Sequence, residues 1–333
     1  MTSGCYLAHL ADGQMRLLLG REPVAKLLDD PTTPEDWRAR LTRIEEVREE
    51  ARALGLNVGE RYTAFSDWPG DAVVTSVVST RPGELEPTTR WYPIVGSVPY
   101  QGYFDPDRAE AEAQRRREDG LDVCVVPVPA YSTLGWFDDP LTGPMLRMPE
   151  ARLVETVFHE LVHATLFLPG EADFNEGFAT FVGQEARVRF YANRGEETRE
   201  RAAVERARAL RGEMLALRRA IESLYAEAAD PEARAERRRQ LEAAARARLT
   251  VLSGLPPDEA AAWAERIRLN DACLALTGTY HADLPRWSEL LRASGDDLRR
   301  MIDRVAATTE ADDPRAALFG ASAPGDDEAT DPP

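Results

Sequence analysis

The run His159-Glu160-Leu161-Val162-His163 sets two imidazoles four positions apart, with a carboxylate beside the first. On an α-helix, positions i and i+4 share one face, so both rings can grip a single metal ion. Glu160 then lies about 100° round the helix, close enough to hold a water at the metal without binding the ion itself. Two His on zinc with a Glu as general base is the arrangement this spacing serves in metal-dependent peptide hydrolysis. The chain has only four histidines. Placing two of them here demands a helix, and one whose His-bearing edge borders a cleft.

The flanks supply that helix. Val154, Val157, Phe158, Leu161, Val162 and Leu166 recur at three- and four-residue spacing and form one apolar stripe. His159 and His163 fall at its edge, and Pro169-Gly170 is the expected stop. The bland alternative is a pair of structural histidines, half buried in a core.

Catalytic zinc takes three protein ligands and leaves a fourth position for water. Twelve residues separate His163 from Glu176 in the stretch Asp173-Phe174-Asn175-Glu176-Gly177-Phe178-Ala179-Thr180-Phe181. A tight turn into a second helix would return Glu176 across the first and complete a His2Glu set. The local alternative needs no metal: Asp173 as N-cap, with Glu176 as its capping-box partner. Asn175 and Thr180 are candidates for supporting the ligands from behind.

The pair of motifs, H-E-x-x-H followed by N-E-G-F-A, resembles the gluzincin metallopeptidases, with a shorter spacing than in aminopeptidase N-like enzymes or thermolysin. A wider set of phrases resembles the predicted zinc aminopeptidases of bacteria, a group in which lipoproteins are frequent. These are Gly4-Cys5, Pro93-Ile94-Val95-Gly96, Pro99-Tyr100-Gln101-Gly102-Tyr103-Phe104-Asp105 and the run from Ala130-Tyr131 to Asp139-Pro140. Leu269-Asn270-Asp271-Ala272 and Gly278-Thr279-Tyr280 complete the set. The resemblance covers about residues 4 to 305 and implies a zinc peptidase, with one Zn2+ ion and a peptide substrate, more firmly than it implies an exopeptidase.

Composition fits a soluble globular enzyme, with 43% of residues hydrophobic and 30% charged. The balance of 41 basic against 58 acidic residues, net −17, argues against nucleic acid or an anionic membrane as partner. No apolar run approaches the roughly 20 residues of a membrane span. Cys5, Cys124 and Cys273 are too few and too scattered for a disulfide framework. Only four residues precede Cys5, with no charged and apolar leader, so the sequence as it stands reads as cytoplasmic. A start further upstream would instead make Cys5 a lipid-attachment site and the protein a cell-envelope lipoprotein.

The expected fold is α+β and mainly helical: a gluzincin-like core of a small sheet and two zinc-binding helices, carrying an inserted helical hairpin. One domain spans residues 1–305, with N-terminal helices over 6–55, core over 56–195 and 253–305, and the hairpin over 196–252. Tyr6 to Leu28 reads as a helix, and a second runs from a Thr33 cap through Trp37, Leu41, Ile44, Val47 and Ala51 to Gly55. Ala72 to Thr80, Trp91 to Tyr100 and Leu121 to Ala130 read as strands, with a helix from Pro106 to Glu118 between the last two. Val204, Met214, Leu217, Ile221 and Leu224 make one hairpin stripe, Asp230-Pro231 breaks it, and Leu241, Ala245 and Leu249 make the other. Arg runs such as Arg237-Arg238-Arg239, interleaved with Glu, read as a solvated face. A helix through Trp263 to Leu276 follows. From Ala306 the chain is acidic and rich in Pro and Ala, with Asp312-Asp313-Pro314 and Asp326-Asp327-Glu328, and is expected to be disordered through residue 333.

Three functional expectations complete the reading. Tyr131-Ser132-Thr133-Leu134-Gly135 is the candidate edge strand for pairing with a peptide backbone, against an ordinary strand and turn. Asp138 and Asp139 are weaker candidates for holding a substrate amino terminus, since Asp-Asp-Pro is also a common turn. Tyr280, with His281 second, is the candidate donor to the oxyanion, equally readable as a structural tyrosine. The functional reading is zinc-dependent peptide hydrolysis with Glu160 as base, by aminopeptidase action. The alternative is a zinc-bearing interaction or scaffold protein without activity, whose business end could lie in the hairpin.

Overall fold

The computed structural model describes residues 3–92, 96–130, 139–227, 230–278, 284–311 and 313–320. Its architecture is α+β and mainly helical. The first expected helix is divided. Helix α1 (Ser3–Leu19) closes where the Gly20 N–H donates to Arg16 O, and strand β1 (Arg21–Pro23) follows before α2 (Val24–Asp29). Pro23, with no N–H and ψ of 135°, keeps the two helices apart. Helix α3 (Glu35–Ala53) buries Leu41, Ile44, Val47 and Ala51 as its spacing predicts, with Pro34 rather than Thr33 at the N-cap.

Among the described residues, three small sheets stand in place of the single expected one. Strand β2 (Ala64–Ser66) lies antiparallel to β1 and parallel to β8 (Leu141–Thr142). Strand β3 (Val74–Thr80) is central to the second sheet, antiparallel to β6 (Gln101–Tyr103) and to β7 (Asp122–Val128), in register from Val74↔Val128 to Thr80↔Asp122. The strand expected over 91–100 is instead a hairpin of β4 (Arg90–Tyr92) and β5 (Gly96–Val98), with Arg90 opposite Val98. Helix α4 (Pro106–Glu118) has the predicted bounds, and Asp105 caps it by accepting from the N–H groups of Asp107 and Arg108.

The short α5 (Gly143–Arg147) leads into α6 (Glu150–Thr165) and α7 (Ala172–Ala192), which form the centre of the main core. Phe158, Phe174, Phe178, Phe181 and Phe190 are fully buried between them and their neighbours. The helical hairpin expected over 196–252 is α8 (Glu197–Ala226) and α9 (Pro231–Leu252). It is antiparallel: Arg248 pairs with Glu213 near one end, and Arg238 reaches Tyr225 near the other. Arg238 also departs from the expected solvated face. It pairs with Asp271 and donates to Leu269 O, because α10 (Pro257–Arg266) and α11 (Asp271–Gly278) fold back over the hairpin.

Helices α12 (Leu284–Ala293), α13 (Leu298–Thr308) and α14 (Pro314–Phe319) then return to the main core. Trp287 is completely buried, with ring centroids 5.1 Å from Phe174 and 4.9 Å from Phe319. The tail expected to lack structure from Ala306 is therefore helical to Thr308 and again over α14. Asp313 caps α14, Pro314 opens it, and Leu318 is buried. Acidic composition concealed two apolar residues with a pocket to fill; residues 321–333 lie outside the described ones.

Cys124 of β7 and Cys273 of α11 form a disulfide, contrary to the expectation from cysteine count. Asp122, two residues upstream, accepts from Asn270 Nδ2 and from the Asp271 N–H, so a strand residue caps the helix. The sulfurs meet because this junction has already brought the two elements together. A cross-link across a sequence separation of 149 restricts the unfolded chain strongly, and its loss typically costs about 2–5 kcal/mol. The double variant Cys124→Ser/Cys273→Ser should unfold at lower urea with a stability loss in that range, read by equilibrium denaturation.

Candidate metal centre

Helix α6 carries the H-E-x-x-H run. Leu153, Val154, Val157, Phe158, Leu161 and Val162 are buried, the stripe the sequence predicted. The helix ends at Thr165, ahead of the expected Pro169-Gly170 stop. Asn57 accounts for the early end: its backbone N–H donates to Thr165 Oγ1 and its Nδ2 to Ala164 O. A loop from the N-terminal region thus satisfies groups at the helix end that would otherwise lack partners.

The turn back is set by Asn175. Its Oδ1 accepts from the Leu168 N–H at 2.8 Å and its Nδ2 donates to Leu168 O at 2.7 Å. With Leu168 buried, this clasp fixes how α7 leaves the turn. Asn175 thereby acts on the backbone of the turn. Glu171 occupies the N-cap of α7 and Asp173 lies inside the first turn, so the capping-box alternative does not hold.

Glu176, Thr180 and Gly183 then fall on one face of α7. Gly183 is the point of closest approach. A Cβ there would stand 3.1 Å from Glu155 O and 3.3 Å from the His159 N, both backbone atoms of α6. Thr180 is buried on the same face. Two turns back from Gly183, Glu176 reaches both rings: its oxygens lie 3.4 Å from His159 Nε2 and 3.4 Å from His163 Nε2. The two Nε2 atoms are 3.0 Å apart. Three donors held about 2.1 Å from one tetrahedral ion would stand about 3.4 Å from each other, so the spacing fits zinc. Among the described residues, these three form the cluster able to hold a metal ion.

The electrostatics agree. Burial opposes ionisation of Glu176, but hydrogen bonds from His159 and His163 and their charges outweigh it and hold the carboxyl at about 2. Burial would lower the His163 pKa, yet hydrogen bonding and charge from Glu176, with a further contribution from Glu160, raise it. Behind the site, buried Glu155 joins Arg152 and Arg187, each at 2.9 Å, and Arg187 also pairs with Glu200 of α8. Glu185 pairs with Arg201 and Arg208. The hairpin helix α8 is thus riveted to the α6–α7 pair by charges that have left water, and removing one partner of such a pair is strongly destabilising.

Glu160 lies beside His159 and is partly exposed. Tyr280, His281, Asp138 and Tyr131-Ser132-Thr133-Leu134-Gly135 fall outside the described residues. Asp139 is buried, and its carbonyl accepts from the Tyr62 N–H at 2.9 Å. Sequence reasoning missed Gly183, because close helix approach leaves no local mark. It also passed over Tyr100, half exposed, whose phenol is raised in pKa by partial burial and by the Glu176 charge. Tyr100 lay within a motif already noted, which was the available signal.

A protein-family model described as "Putative aminopeptidase" matches residues 5–317, nearly the whole chain. No curated protein and no solved structure matches.

Glycine inside a helix costs about 1 kcal/mol relative to alanine, so the two helical glycines with and without neighbours should respond oppositely. Gly212→Ala in α8, where nothing lies within 4 Å, should raise stability by about 0.5–1 kcal/mol. Gly183→Ala should forfeit that gain by pressing α7 off α6, and should weaken zinc binding about tenfold; calorimetric melting and zinc titration read both. A pH prediction follows for the metal-free protein. Glu176 is more acidic folded than its ordinary 4.5, so its contribution is present above 4.5 and fades as pH falls towards about 2. His163 is raised from 6.5, so its contribution is full below 6.5 and is lost as pH rises through the raised value. The melting-temperature difference between the wild type and Glu176→Gln should be largest between pH 4.5 and 6.5.

Proposed function

The chain belongs to the "Putative aminopeptidase" family, and from that premise we propose that it is a zinc-dependent peptidase acting as an aminopeptidase. The observation that carries this reading is the convergence of His159, His163 and Glu176 within 3.0–3.4 Å, with the unused Glu160 beside them. Zinc binding alone would not require Glu160.

His159, His163 and Glu176 would hold one Zn2+ ion, whose Lewis acidity brings the pKa of a water towards about 7. Glu160 would serve as general base towards the water that attacks the scissile carbonyl, and would pass the proton to the leaving amine. Asn175 keeps the third ligand in place by fixing the turn, and Thr180 fills the face behind it. Tyr280, with His281 second, is the proposed donor to the developing oxyanion. Residues 131–135 are the proposed strand to which an extended peptide adds.

In this reading the chain from residue 1 through α14 is one metallopeptidase unit with a gluzincin-like core, and the hairpin over 196–252 is an insertion that braces α7. A net charge of −17 disfavours nucleic acid as partner. No helix among the described residues is long and apolar enough to cross a membrane. Of the cytoplasm and the cell envelope, the Cys124–Cys273 disulfide favours the envelope, because such bonds persist in oxidising compartments.

Glu160→Gln should retain stoichiometric zinc and lose about 10²–10⁴-fold in kcat, measured on fluorogenic peptides. Undiminished turnover would remove Glu160 as base. Product mapping on free and N-blocked peptides tests the exopeptidase mode: release of single residues, abolished by blocking, is expected.

A further inference from the structure

The junction of α6, α7 and α8 holds a guanidinium that its neighbours leave over. Arg152 of α6 and Arg187 of α7 each stand 2.9 Å from Glu155, one on either carboxylate oxygen. On α8, Arg201 and Arg208 pair with Glu185 at 2.7 and 2.8 Å, and Arg208 Nε donates to Gln184 Oε1 at 2.7 Å. Arg211, one turn beyond Arg208, has no such partner. Among the described residues its one ion-pair neighbour is Glu155 Oε1, 4.0 Å away and already accepting from Arg152. Its buried Nη1 makes no hydrogen bond, and at the same junction the Nε2 of completely buried Gln184 makes none either.

A buried donor without a partner is costly, and a buried charge without one more so. The shortage is not one of supply, since the chain has 58 acidic residues against 41 basic. Burial, joined by the charges of Arg152 and Arg208, lowers the Arg211 pKa against the pull of Glu155. What the junction lacks is an acceptor, and a guanidinium fork is matched best by the two coplanar oxygens of a carboxylate. Arg152 is half exposed and Arg211 partly so, which leaves a route from solvent. Glu155 stands one turn ahead of His159 on α6, a rise of about 6 Å, and α7 lies against both at Gly183. That is about the span of two residues of extended peptide.

We propose that this junction is a carboxylate-binding site centred on Arg211, on the flank of the metal centre. The group it takes is the carboxylate that ends a short peptide or that of a small free acid. The site stands on Arg211 and its neighbours alone; only the peptide as a source rests on the peptidase reading given above. Were Arg211 merely a third structural partner of Glu155, its removal would destabilise the fold, as breaking a buried ion pair does. As a surplus charge awaiting a ligand, it can be removed without that loss.

Calorimetric titration of the metal-free protein reads the site without turnover. The probes are trialanine with a free C-terminus, the same tripeptide as its C-terminal amide, and acetate, all at matched ionic strength. Trialanine should bind about 10–100-fold more tightly than its amide, the scale of charge-assisted hydrogen bonds. Arg211→Gln should abolish that advantage, while Arg219→Gln, at an exposed position of the same helix, should keep it. Acetate binding that depends on Arg211, with no advantage for trialanine, supports the site and names a small free acid as its source. Absence of any Arg211-dependent binding, of peptide or acetate, overturns the proposal. Without ligand, Arg211→Gln should melt at or above the wild-type temperature; a lower melting temperature assigns the guanidinium to Glu155 and also overturns it. If the wild type binds trialanine yet hydrolyses no peptide, the peptidase reading fails and this site stands.

Discussion

The convergence of His159, His163 and Glu176 depends on how closely two helices approach. At Gly183 the missing side chain lets α7 lie against the α6 backbone beside His159, and two turns earlier on the same face Glu176 meets both imidazoles. A lateral shift of a few tenths of an ångström at the contact becomes a misplaced ligand at the end of that lever. Everything packed around the pair limits such a shift. The Asn175 clasp fixes the turn, Asn57 closes the end of α6, and Glu155, Arg187 and Glu200 join three helices through buried charge. Trp287 and its aromatic neighbours fill the opposite side of α7.

What could be read from the sequence was what one helix or one turn specifies. The i,i+4 histidines and the apolar stripe placed α6 correctly, and the helix expected from Pro106 to Glu118 has the bounds of α4. The return of Glu176 to both histidines was legible because the turn and helix that bring it back are themselves local. The capping-box alternative was a fair competitor, and only the observed N-cap at Glu171 removes it.

The rest was hidden because it depends on partners distant in sequence. Cys124 and Cys273 look unrelated until Asp122 of the strand is seen capping α11. Arg238 looks solvated until α11 folds over it. The segments 6–28 and 91–100 have the apolar content of single elements, yet each is cut, the first at Gly20 and Pro23 and the second by a hairpin. The acidic tail hides Leu318, whose pocket is built by other helices. Tyr62, with a left-handed φ of +64°, is the extreme case, since backbone strain leaves no trace in composition or period.

The central claim is that two imidazoles from α6 and one carboxylate from α7 share a single divalent ion. Zinc K-edge X-ray absorption on protein loaded with one equivalent tests it most directly. The account predicts nitrogen and oxygen ligands at about 2.0–2.2 Å, an outer-shell pattern for two imidazoles, no sulfur, and a changed first shell in Glu176→Ala. Sulfur ligation, substoichiometric loading, or a spectrum indifferent to the loss of Glu176 would contradict it.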